Sequence, residues 1–139
     1  MYPVGMATWE DVARLALSLP ESTQGSGTRG LKWEVRGKHF AWERPLGQRD
    51  LDELGEAAPS GPVLGASTAD LSDKRGLIAS DPAVFFTVPH FEGYPAVLMQ
   101  LDRIELDQLR EVLTDAWLCR APKRLAAKYL AENEPPFSG

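Results

Sequence analysis

One cysteine and two histidines limit the chemistry this 139-residue chain can do. A structural zinc site needs four ligands, and Cys119, His39 and His90, far apart in sequence, cannot fill one without carboxylates. No G-x-S-x-G elbow supplies a serine nucleophile, and no glycine loop with its lysine cradles a phosphate. Gly25-Ser26-Gly27 leads into a strand pattern rather than a helix, the wrong context for a dinucleotide loop. Arg120 beside Cys119 would favour a thiolate, but a cysteine closing a helix reads first as a small packed side chain. No catalytic residue, metal or cofactor is therefore expected, and the reading leans toward binding over an enzymatic role without deciding between them.

Two groups of residues could bind. Residues 29–49 carry Arg29, Lys32, Arg36, Lys38, Arg44 and Arg49 against Glu34 and Glu43, and residues 120–128 carry Arg120, Lys123, Arg124 and Lys128 with no acid. Each island has an excess of four positive charges on a chain of net charge −5, so the rest carries −13. Such islands either form a phosphate-contacting surface or are solvated faces. The contact set on the first reading is Arg36, Lys38, His39, Lys123, Arg124 and Lys128. The second group is aromatic. Trp42, His90 and Tyr94 could line a ligand pocket, and His90 lies in a loop with Phe91 and Tyr94. The competing reading pairs Trp33 with Trp42 across two strands as core.

These residues need elements to hold them. Thr8 caps a helix whose apolar positions are Val12, Leu15, Ala16 and Leu19, stopped by Pro20. Residues 21–30, with three glycines, read as a flexible loop. Leu31 to Arg36 and His39 to Arg44 alternate as two strands. A turn at Gly37-Lys38 would place Val35 opposite Phe40, Trp33 opposite Trp42, Lys32 opposite Glu43 and Arg36 opposite His39. Asp50 to Glu56 forms a short helical turn, Val63 to Ser67 a strand, and Asp70 to Ser80 a helix weakened by Gly76. Ala83 to Val88 and Ala96 to Leu101 are strands by their branched and aromatic content. Glu105 to Leu118 is the strongest helix, and Pro122 opens a last one reaching Glu132. The expectation is an α+β fold in the order α-β-β-β-α-β-β-α(α), an antiparallel sheet with helices packed on it.

Composition agrees. The length predicts one domain over residues 1–139, with 1–6 and 134–139 as frayed ends. Hydrophobic residues at 43% and charged residues at 25% exclude a disordered or low-complexity chain. A single cysteine precludes an internal disulfide, and no apolar run is long enough for a signal peptide or a membrane span. A cytoplasmic protein with no membrane partner is expected.

Four segments then become familiar: the opening helix WEDVARLALSLP (residues 9–20), the hairpin VRGKHFAW (35–42), the stretch DPAVFFTVPHFEGYPAV (81–97) and DAWLCRAPKRL (115–125). In order and spacing they resemble the MmcQ/YjbR family of small bacterial proteins, across nearly the whole chain. The resemblance implies a fold like that of type III secretion chaperones and a DNA-binding-like role through a double-wing arrangement of hairpins. Many members carry Asn-Lys after the loop histidine, whereas here Phe91 and Glu92 follow His90. DNA is thus the first expected partner. The alternatives are another protein, bound in the manner of a chaperone-like adaptor, and a small ligand held at the His90 loop.

Overall fold

Thr8 starts the first helix, α1 (Trp9–Leu17). Its hydroxyl accepts the Asp11 amide at 3.2 Å, and the Asp11 carboxylate accepts the Thr8 amide at 2.9 Å. This reciprocal cap satisfies two donors that a helix start would otherwise leave open. Val12, Leu15, Ala16 and Leu19 are buried, as their spacing predicts. The computed structural model describes residues 7–27 and 30–133, less the side chains of Ala57 and His90. The predicted frayed ends and Arg29 lie outside the described residues.

Six strands follow: β1 (Ser22–Gly27), β2 (Gly30–Val35), β3 (Lys38–Glu43), β4 (Val63–Ser67), β5 (Phe85–Phe86) and β6 (Ala96–Gln100). They form one sheet in the order β1-β2-β3-β4-β6-β5, antiparallel at every pairing. The helices are α2 (Gln48–Leu54), α3 (Leu71–Ser80), α4 (Leu106–Arg120) and α5 (Lys123–Glu132). The class is α+β, as expected, with one strand more than the sequence pattern predicts.

That strand is β1. Its small polar residues carry no apolar alternation, and the flexible loop expected at 21–30 is instead an edge strand. β2 supplies its ladder from Ser22↔Val35 to Gly27↔Gly30, so the partner, not local propensity, makes it a strand. The β2–β3 register also differs from expectation. Arg36 and Gly37, not Gly37 and Lys38, are the central turn residues, with φ of +50° and +81°. Positive φ at both positions is the I′ pattern, whose twist matches the flanking strands. Val35 then pairs with Lys38 and Glu34 with His39, and after a bulge the pairs are Trp33↔Ala41 and Lys32↔Trp42, so none of the four expected pairs forms. Phe40 is the extra residue, and it and Ala41 are both buried. The strand expected over Ala83–Val88 shrinks to Phe85–Phe86, because residues after Asp81 turn, with the Val84 and Phe85 amides both donating to the Asp81 carbonyl.

The sheet has two unlike faces. One carries Trp33, Val35, Ala41, Leu64, Ala66, Val97 and Met99 into the main core, under α1 and α4. On the other, Val63, Val88 and Leu98 make a small second core with Leu46, Leu54, Phe86 and Phe91. That second core covers only the β4–β6–β5 side. On β2 and β3 the same face presents Lys32, Glu34, His39 and Trp42, all exposed or half-buried.

Candidate functional site

The basic residues divide sharply by environment. Arg44 is 7% exposed and forms an ion pair with the buried Asp50 at 3.2 Å, so it belongs to the interior. Arg49 pairs with Glu53 one helical turn away, and Lys32 lies 3.9 Å from Glu34. Arg36 makes a two-pronged ion pair with Glu21, its Nη2 donating to Oε2 at 3.1 Å. Hydrogen bonding to Arg36 holds the Glu21 carboxyl below its usual range, and Lys128 adds a further attraction. Among the described residues Lys38, Lys123, Arg124 and Lys128 form no ion pair, and all four are exposed.

Glu21 joins the two islands. It lies in the turn between α1 and β1, touches the β2–β3 turn through Arg36, and feels Lys128 of α5. α5 is fastened at the same end: the Trp117 indole N–H donates to the Pro20 carbonyl at 3.1 Å and its ring lies 5.1 Å from that of Tyr129. Arg36 and Lys128 therefore converge on one acid, with Lys38 and His39 following the turn. Sequence reading missed Glu21, since a single acid after a proline carries no pattern.

The aromatic residues also divide. Trp33 is fully buried, 6.3 Å from Trp9 in a stacked pair, with its indole N–H on Gln24 at 2.9 Å. Trp42 lies on the opposite face, so the two tryptophans are not the cross-strand core pair the expected register gave. The five-membered ring of Trp42 covers Gly65, where a Cβ would come within 2.6 Å of Nε1. His39 meets it edge-on at 5.6 Å. A cleft of about 340 Å³ opens beside it, lined by Trp42, Lys32, Phe91, Tyr94, Glu43 and Arg44 among others. Trp42 and Tyr94 thus line the same cleft. The backbone of His90 lies in the 3-10 turn Pro89–Phe91, and its side chain is outside the described residues.

The loop that carries Phe91 and Tyr94 is held by a residue the sequence did not single out. Lys74 of α3 is 2% exposed, and its ammonium donates to the carbonyls of Phe91 (2.6 Å), Tyr94 (2.9 Å) and Glu92 (3.2 Å). It also sits 4.9 Å above the Phe91 ring, which lies 5.2 Å from that of Tyr94. Burial lowers the Lys74 pKa from its ordinary value, with Glu92 pulling it partly back. Glu43, the acid lining the cleft, is committed to the Leu31 amide at 2.9 Å.

A larger groove of about 760 Å³ runs between α3 and α4, with Leu77, Phe85, Val112 and Leu118 below Asp73, Glu111 and Asp115. Burial raises the Asp115 pKa, and Glu111 and Asp73 add to the rise. Cys119 lines the same groove, exposed, with its thiol pKa raised by burial and by Asp115. That direction opposes the thiolate that Arg120 alone would favour. Among the described residues no cluster of three metal-ligating side chains occurs, and no helix is long and apolar enough to cross a membrane.

A six-stranded antiparallel sheet with helices packed against it, and a loop held by three hydrogen bonds from a buried lysine, defines an α+β fold. The family model YjbR matches residues 17–119, and the chain belongs to the YjbR family. It is 45% identical over 131 residues to the uncharacterized proteins Mb2600 of Mycobacterium bovis and Rv2570 of Mycobacterium tuberculosis, covering 92% of this chain and 99% of theirs. The crystal structure of Deinococcus radiodurans protein DR2400, with a DUF419 domain, is similar with a TM-score of 0.61 at 18% identity, over 81% of this chain and 78% of that one. At that identity the likeness concerns the fold.

Proposed function

We propose that the protein binds the nucleic-acid backbone through α5 and the tip of the β2–β3 hairpin. One observation carries this reading: Lys123, Arg124 and Lys128 stand exposed on a helix with no acid before Glu132, at the end where Glu21 gathers Arg36 and Lys128. Lys38 and His39 extend the set, and Arg36 contributes a guanidinium already shared with Glu21. Contacts of this kind give affinity without reading sequence.

The test is fluorescence anisotropy of labelled double- and single-stranded DNA at about 50 and 200 mM salt. Four unpaired cations bound the duplex salt slope at about 3.6, so a fourfold rise in salt weakens binding by at most about 10². Lys123→Glu/Arg124→Glu removes most of the affinity. Absence of binding at the lower salt, or an unchanged variant, overturns the reading. The α3–α4 groove favours a second reading, a protein partner, because its apolar floor and acidic rim suit a basic amphipathic helix.

A further inference from the structure

We infer that the open face of β2 and β3 selects single-stranded nucleic acid, by stacking an unpaired base in the cleft between Trp42 and Tyr94. This rests on the backbone-binding reading and adds the element it lacks, a place for a base. Three observations converge on it.

First, the sheet is covered unequally. The second core ends at Phe91, and beyond it Lys32, His39 and Trp42 line an uncovered strand face. Flat sheet faces with accessible aromatic rings accept unstacked bases, because every base has a π-face. Duplex bases are already stacked on one another and offer no such face. Second, the aromatic surfaces are fixed beforehand. Trp42 lies against Gly65, where any side chain would collide with the indole. Phe91 and Tyr94 stand on a loop that Lys74 grips by three carbonyls. Tyr94 is 49% exposed although its loop is anchored by a buried residue, an arrangement that holds a ring out toward solvent. Third, the charges suit a nucleotide. Lys32 faces Trp42 across the strand pair, 3.9 Å from Glu34 on the same face, while Glu43 is turned onto the Leu31 amide. The cleft, about 340 Å³, is at the low end of small-molecule sites (~300–1,000 Å³), which fits one flat ring with its sugar.

From the turn at Arg36 and Gly37, β3 runs through Lys38, which shares the face of Val35, to His39 and Trp42, which share the open face with Glu34 and Lys32. A strand held by its phosphates at the hairpin tip would pass along this face and deliver a base to the cleft.

The experiment compares two labelled twelve-residue oligonucleotides of equal charge, oligothymidylate and its abasic analogue, on the intact protein. The expected result is tighter binding of oligothymidylate by about 5- to 150-fold, the range for one stacked base. Trp42→Leu and Tyr94→Ala should each reduce that ratio toward one while leaving affinity for the abasic strand unchanged. Tyr94 is exposed, so its variant folds even if the Trp42 variant does not. Equal binding of the two strands by the wild type overturns base stacking and leaves the phosphate reading standing. A ratio that survives both variants overturns the placement of the base at this cleft. Failure of both strands to bind overturns the phosphate reading and this inference together.

Discussion

Replacing Lys74 by Met removes the ammonium that fixes the loop from Phe91 to Tyr94 and keeps a similar apolar stem. The carbonyls it leaves differ in what remains to them. Phe91 O still accepts the Tyr94 amide at 3.1 Å, and Tyr94 O still accepts the Ala96 amide at 2.8 Å. Glu92 is exposed, so its carbonyl can turn to water. Hydrogen bonds from a charged donor contribute about 1.5–3 kcal/mol each, but relief from burying an ammonium offsets part of the loss. The net expectation is destabilisation by about 3 kcal/mol, which for a chain of this length lowers Tm by about 10 °C. Thermal unfolding followed by circular dichroism reads it. The pH dependence tests the cause. Burial puts the folded-state pKa of Lys74 below its ordinary 10.5, so the unfolded chain holds more protons as pH approaches that value. Stability from this group then rises with pH between the folded-state and unfolded-state pKa. The gap between wild type and Lys74→Met should widen as pH rises toward the unfolded-state value of 10.5. A Tm within about 2 °C of wild type would refute the clamp. A gap that narrows with pH would refute burial as the dominant effect on the lysine.

Two further substitutions test the site from other sides. Glu21→Gln releases Arg36 and removes an acid beside Lys128, so duplex DNA binding at about 50 mM salt should tighten several-fold, with the salt slope rising by up to about 0.9; weaker binding in the same anisotropy titration would contradict the converging patch. Gly65→Ala forces the Trp42 ring away and should cost about 1–3 kcal/mol, whereas Gly76→Ala, in a helix with nothing within 4 Å, should gain about 0.5–1 kcal/mol, both read by urea unfolding.

Helices α1 and α4 were legible in the sequence because each buries an apolar stripe that its residues announce. Thr8 and Asp11 cap α1, and Leu109, Leu113, Ala116 and Trp117 mark α4 at helical spacing. β2 was legible for the same reason, with Trp33 and Val35 buried in alternation. What escaped depends on partners. β1 is polar on both faces and takes its conformation from β2. The bulge at Phe40 reconciles a turn preference with a burial preference, and neither alone fixes the register. Lys74 sits within Asp73-Lys74-Arg75, a triplet that reads as a solvated helix face; only the carbonyls of a loop seventeen to twenty residues later give the ammonium a buried place. Trp42 and Tyr94 could be named as pocket residues from type and loop position, but the shallow wall between them depends on that lysine.

The binding end owes its geometry to Glu21 as much as to the cations. Among the described residues, Glu21 and Arg36 are the two non-glycine positions with positive φ, at +56° and +50°. Such conformations cost energy and persist where surrounding contacts over-determine them. Here the contact is between the two residues themselves, so the turn after α1 and the tip of the hairpin hold each other in place. The Trp117 indole extends the link from Pro20 to Tyr129 on α5. The backbone carrying Lys38 and the start of α5 is therefore tied together through these contacts, which reduces the ordering cost of binding. The acid that neutralises Arg36 thus has two opposed effects, subtracting charge and adding rigidity. Spacing between exposed charges matters most once salt screens them beyond about 10 Å. Charge should dominate at low salt, and the benefit of removing Glu21 should shrink as salt rises.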